Sequence, residues 1–123
     1  MTYALSRLMS TATASYGAYA LADPAHLGRA MGVEGKDRAG YDLLSQTFGI
    51  RDLALSSVGI FGRSPGAVKA AMKVRIMLDV GDGLLLATKA RDEQTRQKVL
   101  GVTMGWAALN LVALAIDSRR AKA

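Results

Sequence analysis

The chain has 123 residues, half of them hydrophobic, with 13 glycines, two prolines, one histidine, no cysteine and a formal net charge of +6. That length sets a single domain, 1–123. The lack of cysteine excludes disulfides and thiolate metal sites, and a lone histidine (His26) does not build a metal site, so neither a metal nor a cofactor is expected.

The first helix is predicted over 3–22 and stops at Asp23-Pro24, because a residue before proline is driven out of helical dihedrals. Ser6, Ser10, Thr13 and Gly17 make a small, weakly polar stripe on it, suited to another helix rather than to lipid. Tyr16 and Tyr19 fall in its last turns, where an interfacial aromatic belt sits. The opening residues lack a basic segment and a Leu/Val-rich core, so they read as a retained helix and not as a cleaved leader. A long connection follows. It holds a short interfacial helix near 26–31 and the polar, glycine-rich loop GVEGKDRAG.

The second helix is predicted over 41–61, with Asp42 as its cap and the turn GRSPG as its end. Ser45, Gly49, Asp52, Ser56 and Gly59 recur at heptad-like spacing and share one face. The third helix is predicted over 67–88, with Ser64 or Pro65 at its start; Arg75, Asp79 and Asp82 share a face at i, i+4 and i+7. The run KARDEQTRQK reads as a solvated connection, partly helical through extension of its neighbours.

The fourth helix is predicted over 97–116. Its segment 99–116, VLGVTMGWAALNLVALAI, has eighteen residues, no formal charge and only Asn110 strongly polar. That is the length of a bilayer span and too apolar all round for the surface of a soluble bundle. On the same ground a basic soluble domain binding nucleic acid is set aside. Gly101 and Gly105 form a GxxxG that marks close packing or dimerisation. Asn110 is expected to bond between helices, and Trp106, mid-helix, to line the interior. The expected fold is therefore an all-α, integral membrane, four-helix up-down-up-down bundle, multi-pass in the cell membrane. Lys and Arg divide seven and seven between the two ends. Six acids dilute the end away from the termini, which leans the termini towards the cytoplasm, although acids count little in this rule.

Ionisable groups halfway along such helices must face inward, pair or neutralise. Antiparallel neighbours bring Arg51 towards Asp79 or Asp82, with Arg75 helping from one turn away. Arg51 and Arg75 against Asp52, Asp79 and Asp82 leave one negative charge in excess, so one acid is expected to hold a proton near neutral pH. Such a network either fixes helix register or grips a proton, an ion or the polar head of a lipophilic molecule.

The strings YALADP, FGIRDLALSSVGI and RIMLDVGDGLLLA, followed by an apolar fourth helix, resemble a family of small bacterial and fungal four-helix integral membrane proteins of unknown function. The likeness spans residues 16–115, and Gly49, Arg51, Asp52, Asp79 and Asp82 carry most of it. More loosely, the architecture is similar to small four-helix membrane proteins of the DoxX type. The resemblance implies the membrane bundle and brings no activity with it.

Three functions fit. The first is a binding or accessory subunit whose Arg51, Asp52, Arg75, Asp79, Asp82, Asn110 and Trp106 form the site. Its partners are membrane lipid, a lipophilic small molecule, and a second copy or partner membrane subunit. The second is an acid–base enzyme (isomerase, cyclase or epoxide-opening) on a lipophilic substrate, with Asp79, Asp82 and Asp52 as the candidate catalytic groups. The third is a proton-linked transporter subunit.

Overall fold

The computed structural model describes residues 2–122. Among them are five α-helices and no strand: α1 (Ala4–Ala22), α2 (Ala25–Ala30), α3 (Arg38–Phe61), α4 (Pro65–Lys89) and α5 (Glu93–Lys122), with a 3-10 turn at Gly35–Asp37. The predicted 26–31 segment is α2, so there are five helices rather than four. Gly32 and Gly35 take the left-handed backbone (φ 69° and 70°) that the loop after α2 needs.

Two boundaries differ from the sequence expectation. The second long helix starts at Arg38, not near 41, so Asp42 lies inside it and is no cap. The last helix runs 93–122 instead of 97–116. The run 89–98 is partly helical by extension as expected, with Lys89 ending α4 and 93–98 forming the first turns of α5; the basic tail is the last part of α5. Asp92 makes the early start possible, since its Oδ1 accepts the Thr95 N–H at 2.7 Å. This bond holds the Asp92 carboxyl below the usual carboxylate range. Ser64 caps α4 as expected, its Oγ accepting from Ala67 N with Pro65 in the first turn.

Small residues set the packing. The buried face of α1 is Ser6, Ser10, Thr13, Gly17 and Ala20, and that of α3 includes Ser45, Gly49, Asp52, Ser56 and Gly59. The two faces meet antiparallel. Ser45 Oγ donates to Ala20 O at 3.2 Å, and a Cβ on Gly49 would lie 2.8 Å from Gly17 O. A Cβ on Gly59 would strike Ser10. Only hydrogen on these Cα atoms lets the backbones come so close. α4 lies antiparallel on α5 in the same way, with Gly83 against Thr103. α3 also meets α4, and α1 meets α5, which closes a ring of four long helices.

The interior is layered. One end is apolar (Leu27, Met31, Val33, Phe48, Leu86, Ala90 and Val99), and so is the other (Tyr3, Val68, Met72, Ala113 and Leu114). Between them lie buried Asp52, Arg75, Asp79 and Asn110. The outside is the reverse. Leu8, Ile50, Met77 and Val102, one from each long helix, are 62–72% exposed. Among the described helices α5 alone is long and apolar enough to cross a membrane by length and composition, and only 28% of its most apolar stretch is buried.

Two charged groups tie the helix ends at the side of the termini. Asp117 on α5, 3% exposed, accepts the backbone N–H groups of Ser6 at 2.6 Å and Leu5 at 3.3 Å. A carboxylate from another helix thus caps the first turn of α1. Arg7 donates to Ile60 O at 2.6 Å and Gly62 O at 3.0 Å, filling carbonyls left over where α3 ends.

Candidate functional site

The site is built where α3 and α4 cross at mid-length. Arg51 donates to both oxygens of Asp82, at 2.6 and 3.0 Å, and to Asp52 Oδ1 at 3.2 and 3.3 Å. It does not bond Asp79, which was the other expected partner. Arg75 donates to Asp52 Oδ1 at 2.5 Å and reaches Asp79 Oδ1 at 3.0 Å. Asp52 therefore bridges two guanidinium groups, while Asp82 and Asp79 each lean on one. Helical spacing explains the sharing. Arg75 and Asp79 are one turn apart on α4, and Asp52 projects from the small face of α3 directly opposite. The Arg51 guanidinium also sits over the Phe48 ring, 4.7 Å from its centroid.

Burial divides the cluster. The side chains of Asp52 and Arg75 are each 5% exposed, Asp79 10%, Asp82 17% and Arg51 26%. The expected surplus of one negative charge falls on the least satisfied acid. Asp79 Oδ2 is buried without a hydrogen-bond partner, and so is Arg75 Nε.

A cavity of about 260 Å³ opens against this cluster. Asp52, Arg75, Asp79 and Asp82 form its polar wall; Leu27, Phe48, Leu86, Val102 and Trp106 are among its apolar lining. Thr13, Tyr16 and Thr103 complete it. Small-molecule pockets usually occupy ~300–1,000 Å³, so this one suits a single ring system or short chain rather than a whole phospholipid. Trp106 lines it as expected, its indole N–H donating to Thr13 Oγ1 at 3.2 Å. Asn110 does not bond between helices: its amide donates to Trp106 O in its own helix at 2.8 Å, and its Oδ1 is unpaired. It supports Trp106 instead of joining the ionic network.

His26 bonds Tyr16 of the cavity wall. Its Nδ1 lies 2.9 Å from Asp23 O and so carries the proton, which leaves Nε2 to accept the Tyr16 O–H at 2.9 Å. The next residue, Leu27, lines the cavity. The nearby Arg29–Asp23 pair is exposed, and the Arg29 hydrogen bond holds the Asp23 carboxyl below its ordinary range. No group of three His, Asp or Glu suited to a metal ion occurs among the described residues.

Sequence reasoning missed Phe48, Leu27, Leu86 and the Tyr16–His26 bond. The first three are core-like apolar residues with nothing in their spacing to mark them as lining. Tyr16–His26 joins residues on either side of the α1–α2 turn, where helical periodicity is silent. Asp117 was missed as well: the last helix was expected to end at 116, and only its continuation carries the face of Asn110 on to Asp117 seven residues later.

Against family models, curated proteins and solved structures alike, the chain finds no match.

Proposed function

We propose that this chain is a multi-pass integral membrane protein, a four-helix up-down-up-down bundle, which holds a small lipophilic molecule in the cavity beside its Arg/Asp cluster. One observation carries the reading: large apolar side chains face outward on all four long helices, while the cavity between them ends on ionised groups. In water that distribution is unfavourable at both surfaces. In hydrocarbon it is favourable at both. At ~1.5 Å per residue, α1, α3, α4 and α5 have the length for a ~30 Å core or come within a turn of it. The resemblance to small four-helix membrane proteins points the same way.

A purely structural network needs no cavity. This one has an apolar lining, a polar wall and an acid with a free oxygen, which are the parts of a binding site. Exposed Gly101, Gly105 and Ala108 leave a small-residue strip of α5 open to a second copy or a partner subunit.

The test is fractionation followed by purification in mild detergent, with mass spectrometry of what stays bound. The chain is expected to resist alkaline extraction and to retain a small apolar compound that is lost when Trp106 or Leu86 is replaced. A protein that is monodisperse in plain buffer would end the membrane reading. A second reading, an acid–base enzyme at the same site, is favoured by one feature. Two carboxylates with unequal partners, Asp79 half-paired and Asp82 held by the two terminal nitrogens of Arg51, line one cavity. Asp79 is the candidate acid, and turnover of the retained compound distinguishes this from binding alone.

A further inference from the structure

We infer that the cavity selects a lipophilic cation, an alkyl ammonium head on a short apolar body, seated against Asp79. This rests on the cavity being a binding site and adds the charge of its occupant.

The cluster is closed and unbalanced. Two guanidinium groups face three carboxylates, and every bond among them is assigned. Arg51 serves Asp82 and Asp52, and Arg75 serves Asp52 and Asp79. One negative charge remains, and Asp79 is where it rests. Its residue is 7% exposed, it forms part of the cavity wall, and Oδ2 has no partner. An unbalanced charge in a dry interior costs more than an unpaired N–H, so the deficit at Asp79 outweighs the orphaned Nε of Arg75. Only two things cancel it: a proton in the empty cavity, or a cationic ligand that replaces it.

The rest of the lining suits the ligand. Tyr16 and Trp106 line the cavity, and aromatic rings attract ammonium groups. The third ring, Phe48, is already covered by Arg51, whose place over it shows a cation accepted in this same wall. Leu27, Leu86 and Val102 leave the ligand's remainder an apolar path. An anionic ligand finds the opposite. Both guanidinium groups are committed to carboxylates, and its own charge would add to the surplus.

Octylammonium, 1-octanol and octanoate differ only in their heads. Each is titrated into the protein in non-ionic micelles, with the fluorescence of Trp106, the sole tryptophan, as readout. Octylammonium is expected to bind at least tenfold more tightly than 1-octanol, with octanoate weakest. Asp79→Asn is expected to bring the first two together while 1-octanol is unchanged. Octanol binding as tightly as octylammonium overturns the cationic ligand but leaves the cavity reading standing. Octanoate binding tightest overturns it in favour of the arginines. No response to any probe ends both this inference and the cavity reading. The three-probe series on the unmodified chain decides the matter even where Asp79→Asn does not fold, which circular dichroism reports.

Discussion

Asp52 is the residue on which the interior depends. It holds one guanidinium that is nearly inaccessible and one that is a quarter exposed. Asp52→Ala leaves Arg75 with Asp79 alone in a dry site, and removing one partner of a buried pair costs about 3–5 kcal/mol. Asp82→Ala is expected to cost less, because Arg51 keeps Asp52 and reaches solvent. Asp79→Asn removes the surplus charge and is expected to be the mildest of the three. Denaturant unfolding in mixed micelles ranks them, and a ranking with Asp79→Asn worst would refute the assignment of bonds. Asp117→Ala, which strips α1 of its charged cap, is expected to cost about 1–3 kcal/mol by the same measurement. Which residues carry charge inward was legible from the chain. Counting charges gave a surplus of one among three acids without saying which acid carries it, and helical spacing placed Arg75, Asp79 and Asp82 together. Which guanidinium serves which acid was not legible, because it depends on how α3 and α4 cross.

Between helices, close approach is set by hydrogen atoms where other residues have a methyl group. Gly17→Ala and Gly49→Ala each push α1 off α3, at about 1–3 kcal/mol. The double replacement is expected to cost less than the sum, since both act on one contact. Gly101→Ala and Gly105→Ala meet nothing within 4 Å in a single chain. Alanine gains up to about 1 kcal/mol of helix propensity there, so the monomer is stabilised. Loss of a dimer in the same variants, seen by light scattering, identifies the strip as an interface. At the start of α5, the depressed Asp92 carboxyl adds stability above the ordinary carboxylate range and loses it as pH falls through its lowered value. Acidification is therefore expected to speed hydrogen exchange at Thr95, and Asp92→Asn to remove that dependence. The small faces of α1 and α3 were readable as repeats, except for Ala20 and Phe48, which share those buried faces without being small polar or glycine residues. The limits of α5 were read short, because the charged runs 93–98 and 117–122 break the apolar pattern; Asp92 caps its start, and Asp117, inside it, is turned to the first turn of α1.

At the scale of the molecule, large apolar side chains stand outward on every long helix, while a charged cluster lies between two apolar layers inside. Averaged along its length, each of α1, α3 and α4 mixes apolar residues with polar, charged and small ones. Bulk hydropathy therefore singles out α5 alone. Period, rather than average, carries the information in the other three. Single cysteines offer a clean test of orientation, since the chain has none of its own. A cysteine at Ser118 is expected to label from the cytoplasmic side with an impermeant reagent, and one at Glu34 from the opposite side. Labelling of both from one side would refute the up-down arrangement.

The bond from Asp117 to the N–H groups of Leu5 and Ser6 has a bearing on how the protein is made. The ribosome delivers the beginning of α1 about a hundred residues before the acid that completes it. In the membrane reading proposed above, that opening turn has bare donors and an incentive to stay at the headgroup level until α5 enters the bilayer. Insertion of the last segment then locks the first in place, so a chain cut short before Asp117 should leave its leading end accessible to protease.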